Sequence, residues 1–567
     1  MSVYYYGFAD AKADDRWIFW EQNPPSAVSI DIETISLTER HPLGIGIAFS
    51  PSESFYFDLY PEPPMKGLEA LKRFISDVRI TKIAHNWIFD MGVFPLIPVI
   101  GNSLERANIF DTNVAARLLG YRETSLPILG AEFNCPTRPN GEIMKEHGVT
   151  DNLQLIKKDK MALADHCALD TKATYMLYLE WREKIYKRFG EYFKIEMETI
   201  PILQDMSMHG IAIDQQARQD LEDRYTAEVE FYRRHLQGYG IDNPGSPIQV
   251  GYTLASRGNF LKFTSPKRKQ LRTREKDLEF LDDPLAAAII NYRHKSKFLS
   301  TYLTPLQGED RFYTEYYMDT DVGRLNSRNR NIQNIPGFNK DTGDPGARSF
   351  LMPDNGLFTT GDFSRCHLYF LAHMSGDREM MKVLYDPDPK KSDIHQHTAE
   401  LMGIPRQLAK TINFAVIYGA TAETLMEQMK TRDKRRCNDL LESWFRAYKG
   451  AADWLLYAQQ QGLKDGWALP TLFGRRIRLP DNEGESRLRN KASNYPILGS
   501  DGEVIKRALI LCRNRGLGPK SATPLTMTVH DSLTWDGDVL SKVPVKELEN
   551  IPGFRVPLEI KQTFRWE

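Results

Sequence analysis

Residues 406–419 read RQLAKTINFAVIYG. Arg406, Lys410, Phe414 and Tyr418 recur every fourth residue, and at 3.6 residues per turn that spacing lines them along one helical stripe. Two cations followed by two aromatics make poor core packing, which favours aliphatic side chains throughout. As a platform for a nucleotide the stripe is coherent. Arg406 and Lys410 meet phosphate oxygens, Lys410 is placed to protonate a departing pyrophosphate, and Phe414 and Tyr418 offer flat faces to sugar and base. The alternative is a plain amphipathic helix whose basic side chains lay their stems on the surface and keep their heads in water.

On either side of this helix stand two aspartates. GDFSRCHL (361–368) places Asp362 after a strand-like stretch, and TVHDSL (528–533) places Asp531 in a short apolar segment. Both fall at strand ends, where a pair of carboxylates can bridge two magnesium ions. One ion lowers the pKa of a hydroxyl nucleophile and the other clamps a triphosphate.

A second carboxylate set lies near the N-terminus. SIDIET (29–34) puts Asp31 and Glu33 two apart on a strand, so both point to one face. Asp90 ends HNWIFD, and Asp170 ends HCALD within a helical stretch. Each acid alone is better read as a surface charge or a helix cap. Four of them on three elements suit two hard divalent cations and phosphodiester hydrolysis.

The composition bounds the rest. The 567 residues exceed what one core usually organises. With 41% hydrophobic and 26% charged residues, the chain reads as globular, without a disordered tract. No leader-like opening and no bilayer-length apolar run appear, so no membrane partner and a cytoplasmic location are expected. The five cysteines, Cys135, Cys167, Cys366, Cys437 and Cys512, have no zinc or disulfide spacing. A net charge of −1 does not advertise nucleic acid, so local clusters must supply the contact: Lys267, Arg268, Lys269, Arg272 and Arg274, then Lys434 to Arg436, then Arg475, Arg476 and Arg478. Any of these serves also as a solvated face. Residues 27–120 alternate short apolar runs with helical stretches, 214–305 read as a helical arm with a charged tip, 311–385 return to strands, 392–465 are consecutive helices, and 467–567 are mixed.

DIET, HNxxFD and the terminal Asp170 resemble the three exonuclease motifs of proofreading domains in bacterial polymerase I-type DNA polymerases. RQLAKTINFAVIYG resembles the nucleotide-binding helix of family A DNA polymerases. MSMHGIAID, NPGSPIQV, YRHKSKFLSTYLTPL, DVGRLNSRNRNIQNIP, SDIHQHTAELMG, TLFGRRIRLP and NKASNYPILGSDGEVIKRALI follow in family order, so that the likeness covers roughly residues 27–540. The resemblance implies an α/β multidomain chain. A ribonuclease H-like 3′–5′ exonuclease domain (1–190) precedes a right-hand polymerase with a helical thumb (191–310), an antiparallel-sheet palm (311–390 and 467–567) and helical fingers (391–466). It implies template-directed DNA synthesis with proofreading, and two Mg2+ per active site with Mn2+ as a substitute. Asp31, Glu33, Asp90 and Asp170 are implied as metal ligands of one site, with Asn86 nearby, and Asp362 and Asp531 as those of the other. Primer-template DNA and deoxynucleoside triphosphates are the implied partners, with replisome accessory proteins left open. His395 is implied to help hold the triphosphate, and Arg324, Asn331, Gln333, Asn494 and His530 to contact DNA near the insertion point, together with the tip residues Lys267, Arg268 and Lys269. Polar contacts in the minor groove test pair geometry without reading sequence.

The departures from the family pattern are specific. His166 stands where a tyrosine is usual four residues before the last exonuclease aspartate; with an ordinary pKa near ~6.5 it can orient or deprotonate water. A structural histidine is the equal alternative. Arg365, Cys366 and His367 replace the usual glutamine, isoleucine and glutamate after Ser364, which leaves His367 to exclude a 2′-hydroxyl by bulk. Ser532 replaces a glutamate, Leu498 a glutamine and Asn490 a basic residue. Unusual substrate choice is one implication. The start of the chain, close to the exonuclease motifs, leads us to expect a phage replicative enzyme, acting in the host-cell cytoplasm. Two other readings are a nuclease whose polymerase half has decayed into a DNA clamp, and a non-catalytic DNA-binding protein. Retention of Asp362, Lys410 and Asp531 argues against the first, and two separate carboxylate sets against the second.

Overall fold

The apolar runs AVSIDIET and PLGIGIAFS form adjacent central strands, Ala27–Thr34 and Pro42–Ser50. Nearly every residue of both is buried, as in a sheet covered on its two faces. The computed structural model describes residues 2–6, 15–101, 103–104, 108–264, 270–339, 343–388, 391–551 and 553–566, the first five by backbone alone. The six-stranded sheet runs in the order Ser2–Tyr6, Glu53–Asp58, Pro42–Ser50, Ala27–Thr34, Thr81–Ala84, Asn108–Asp111. Pairing of Ala27–Thr34 with Pro42–Ser50 is antiparallel and sets Asp31 opposite Gly46 and Glu33 opposite Gly44.

A 50-residue helix, Lys160–His209, packs across this sheet and continues into the rest of the molecule. Its N-cap Asp159 accepts from the Ala162 amide, and Phe189, just before Gly190, takes a non-helical φ of −133°. The boundary expected at 190 falls beside this kink, where one helical segment gives way to the next without an intervening loop. Beyond it, Ile211–Ile213, Arg311–Phe312 and Leu351–Met352 make a small antiparallel sheet at the base of a helical arm. The arm's helices Gln215–Gln237, Pro247–Ser256 and Pro284–Phe298 each start on a side-chain cap, from Asp214, Ser246 and Asp283. Leu236, Ile241, Val250, Leu254, Leu285 and Ile289 give the arm a core of its own. The expected tip residues Lys267, Arg268 and Lys269 lie outside the described residues.

The C-terminal sheet is antiparallel, in the order Leu525–Val529, Ser532–Asp536, Phe358–Phe363, Leu558–Thr563. Helices Ile394–Met402, Arg406–Ile417, Ala422–Gln428, Lys434–Ala447 and Lys449–Asp465 form a lobe beside it. A 30-residue helix, Glu485–Asn514, connects lobe and sheet. Two features tie these bodies together. Lys506 Nζ donates to both carboxylate oxygens of Glu196 at 2.6 and 2.7 Å, fully buried between the two long helices. On the surface, Lys276 and Glu279 of the arm pair with Glu427 and Lys430 of the lobe at 2.9 and 2.8 Å. Among the described residues no helix is long and apolar enough to cross a membrane.

Candidate active sites

Three elements bring the N-terminal acids together. Asp31 and Glu33 project from their strand toward the helix Lys160–His209, which approaches closely because Gly46 faces it: a Cβ there would lie 2.5 Å from Cys167 Sγ. The same helix carries Asp170 and, one turn earlier, His166. Asp90 sits on the short helix Trp87–Val93, and its Oδ1 accepts from the Ile32 amide at 3.2 Å, locking that helix against the strand. The turn before it is held by Asp111, whose carboxylate accepts from the Asn86 and Trp87 amides as well as capping its own helix. Asn86 adopts a left-handed φ of 79° there.

The electrostatics of this cluster are unbalanced. Burial, reinforced by the neighbouring carboxylates, raises Glu33, Asp90 and Asp170 well above the ordinary range, and burial pushes Asp31 up to about 6. Asp170 Oδ1 and His166 Nδ1 are buried without a hydrogen-bond partner. Asn152 donates to Glu33 Oε2 at 3.3 Å, and His166 lies 3.9 Å from both Glu33 and Asp170. Burial holds His166 down at about 4, so near neutral pH its ring is an acceptor, not a cation. Four carboxylates, one with an orphaned oxygen, fit hard divalent cations, with His166 and the Cys167 thiol at the edge of the cluster.

Asp362 and Asp531 meet at the C-terminal sheet. Asp362 lies on strand Phe358–Phe363, Asp531 in the turn before Ser532–Asp536, and the Phe363 amide donates to the Asp531 carbonyl at 3.0 Å. Left-handed backbone flanks both: Arg365 at φ 59° and His530 at φ 56°. Such strained positions in non-glycine residues concentrate where side chains must be aimed. The carboxylates line a cavity of about 190 Å³ with His530, Arg348 and Lys561. Burial, then the Asp531 charge, raises Asp362 to about 6; burial, then Asp501, raises Asp531.

The helix Arg406–Ile417 presents its stripe as the spacing predicts, with Ala409, Ile412, Asn413 and Val416 buried on the opposite face. Tyr418 is its C-cap residue, and Arg406 Nε donates to Asp393 at 2.8 Å. His395 packs on Phe414 and shares a 2.9 Å hydrogen bond with the buried Asn413; burial holds it down at about 4. The stripe comes near Asp531 through His367, whose Nδ1 lies 3.2 Å from the Tyr418 hydroxyl and whose neighbour Cys366 has its Sγ 3.6 Å from the Asp531 carboxylate. Several expected DNA contacts are engaged within the chain. Asn331 accepts from the Gln333 amide and from Ser327, and Gln333 donates to the Leu325 carbonyl, while Asn494 Oδ1 is buried without a partner.

Sequence reasoning missed Asp501, 2% exposed beneath this site. Arg324 Nε pairs with it at 2.7 Å, His367 Nε2 lies 3.7 Å away, and Cys366 Sγ lies 3.6 Å from both Asp501 and Asp531. Burial alone would raise the Asp501 carboxyl; the facing His367 and the Arg324 guanidinium outweigh it and hold the group at about 2. The available signal was an acid set among the small residues Gly499, Ser500 and Gly502 of a helical stretch. Lys561 and Asp111 were missed as well, and nothing in their local sequence marks them.

The chain is similar to known proteins over most of its length. Residues 12–185 match the 3′-5′ exonuclease family, and residues 214–562 match DNA polymerase family A. DNA polymerase I of Chloroflexus aurantiacus is 28% identical over 93% of this chain and 58% of its own length, and that of Pseudomonas aeruginosa is 26% identical over 92% and 61%. The thermostable DNA polymerase I of Thermus aquaticus is 28% identical over 49% of this chain and 35% of its own. The chain spans 51% to 61% of the length of relatives that it matches over most of its own length. The POL domain of Pol1 from M. smegmatis, solved in complex with DNA primer-template and dNTP, shares the fold at a TM-score of 0.77 and 19% identity, over 97% of both chains. With that family matched across more than half of its residues, and an exonuclease domain before it, the chain belongs to DNA polymerase family A.

Proposed function

We propose that this chain extends a DNA primer on a DNA template and removes mispaired 3′ ends in a second site. The observation that carries the reading is the pairing of two separate carboxylate centres with one nucleotide-sized stripe. The stripe is tied to only one of the centres, through Tyr418 and His367.

Asp362 and Asp531 would hold magnesium ions at the polymerase centre, and Asp31, Glu33, Asp90 and Asp170 would hold them at the other; when bound, they activate an oxygen nucleophile and neutralise phosphate charge. Arg406 and Lys410 bind the triphosphate of the incoming nucleotide, with His395 beside them, and Lys410 gives a proton to the departing pyrophosphate. Phe414 and Tyr418 face the sugar and base. Arg324, Asn494 and His530 line the way to the primer end, and the tip residues Lys267 to Lys269 grip duplex phosphates in a salt-sensitive manner. In the exonuclease centre the neutral His166 accepts a proton from the attacking water. On the departures at His367, Leu498 and Ser532, the reading extends to a phage genome as template. Single-base incorporation with natural and modified triphosphates tests that part, and equal use of both removes it.

The main test is extension of a labelled primer with magnesium by the intact chain, Asp531→Ala and Asp31→Ala. Loss of extension alone in the first and of 3′-end degradation alone in the second is the expected result. An intact protein that degrades primers but extends none with any triphosphate overturns the polymerase reading.

A further inference from the structure

We propose that Asp501 is a positioning residue for sugar selection: it fixes the His367 ring, which in turn pins Tyr418 against the sugar of the incoming nucleotide. This rests on the polymerase reading above. Four side chains from four elements form the connection. Arg324 comes from the loop before Asn326–Arg328, Asp501 from the helix Glu485–Asn514, His367 from the helix Cys366–Ser375, and Tyr418 from the end of the nucleotide stripe. Arg324 Nε is 2.7 Å from Asp501 Oδ2, that oxygen is 3.7 Å from His367 Nε2, and His367 Nδ1 is 3.2 Å from the Tyr418 hydroxyl.

The backbone is shaped for this meeting. A Cβ on Gly502 would lie 2.7 Å from the Gly323 carbonyl and 3.0 Å from Arg324 Cα, so the missing side chain lets the loop settle on the helix beside Asp501. His367 Nε2 is buried without a hydrogen-bond partner, and the Asp501 carboxylate 3.7 Å away is the charge it faces. The carboxylate therefore favours the ring with its proton on Nε2, which leaves Nδ1 as acceptor for the Tyr418 hydroxyl. Cys366, His367 and Asp501 also have the spacing of a three-ligand cation site. Arg324 already supplies the positive charge there, so the cluster reads as a strut, not a metal centre.

Ribo- and deoxyribonucleotides differ by one hydroxyl, and an apolar wall rejects an added hydroxyl by only about 10²-fold even when well placed. A wall free to swing gives up part of that factor. Tyr418 is 43% exposed and its ring meets His367 edge-on, so the hydrogen bond is the contact that sets its angle.

The test measures the ratio of deoxy- to ribonucleotide kcat/KM in one preparation each of the intact chain, Asp501→Asn and His367→Ala. Because each ratio is internal, a loss of folded protein cancels from it. We expect the ratio to fall about tenfold in both variants, carried by a lower KM for the ribonucleotide, and the double variant to fall no further than either alone. Ratios unchanged in both single variants, with deoxynucleotide still incorporated, overturn the proposal and leave the polymerase reading standing. An intact chain that incorporates neither nucleotide overturns both.

Discussion

The two carboxylate centres are proposed to use the same cations, and burial raises carboxyls in both, Asp31 and Asp362 alike to about 6, yet they differ in how many cationic side chains the chain itself places beside them. At the N-terminal centre four acids and a neutral histidine share a buried pocket, and burial with mutual repulsion raises every carboxyl. At the C-terminal centre two acids share a cavity with Arg348 and Lys561, while Arg324 and Asp501 neutralise one another below. Charges of one sign in a low-dielectric pocket must be balanced from outside or protonated. The first centre depends on its cations for balance; the second has part of that balance built into the chain.

The largest effects should separate the centres outright. Asp531→Ala is expected to lower extension, and Asp31→Ala 3′-end degradation, on the order of 10³-fold or more, each sparing the other activity. Single-turnover assays on one labelled primer check this, and a joint loss in either variant breaks the comparison. Next is Lys410→Ala, expected to slow extension about 10²-fold with a change in its pH profile, as loss of a proton donor requires. An unchanged profile makes Lys410 a phosphate anchor only.

A third measurement addresses the built-in balance. Asp31 rises from the ordinary 3.8 to about 6, so between those values the folded chain keeps a proton that the unfolded chain has released. Without metal, stability should fall as pH rises through that window. Magnesium should then raise Tm by about a few degrees more at pH 8 than at pH 5, read calorimetrically against a chelator control. Because Asp362 of the second centre is raised to about 6 as well, the comparison is repeated in Asp362→Asn, and an equal shift at both pH values there contradicts the dependence of the first centre on cations. Smaller still, His166→Ala should slow degradation about tenfold, and a loss that vanishes at higher pH, where hydroxide replaces the base, identifies its role. The smallest effect is expected from Lys276→Glu. It breaks an exposed arm-to-lobe pair worth about 0.2–1 kcal/mol, so DNA release should quicken slightly at low salt and not at high salt.

What could be read from sequence was what repeats locally. The alternation in SIDIET and the four-residue spacing from Arg406 to Tyr418 each encode a face of one element, and the structure displays those faces. Asp90 and Asp170 were legible because they end short motifs of a known order. Asp501, Lys561 and Asp111 were not, because their meaning comes from partners far along the chain: Asp501 meets Arg324, His367 and Cys366 only after the helix Glu485–Asn514 is laid across the sheet. The continuity of helix on both sides of the Phe189 kink was not legible for a related reason. A helix that passes from one core to the next carries no loop signal, since each part of it is amphipathic toward a different neighbour.

That helix has a consequence for traffic between the centres. Its parts before and after the Phe189 kink, residues 160–188 and 190–209, make two rods of about 44 and 30 Å at 1.5 Å per residue, the second fixed as a beam where Glu196 meets Lys506. Replacing either partner leaves a buried charge alone, at a cost of about 3–5 kcal/mol. A spacing held by such a beam cannot shorten to deliver a substrate from one centre to the other. On the function proposed, the DNA end must make the journey, and it can do so only by unpairing from its template. Fidelity would then be a race decided by the melting of the last few base pairs, with the protein as the fixed course on which it is run.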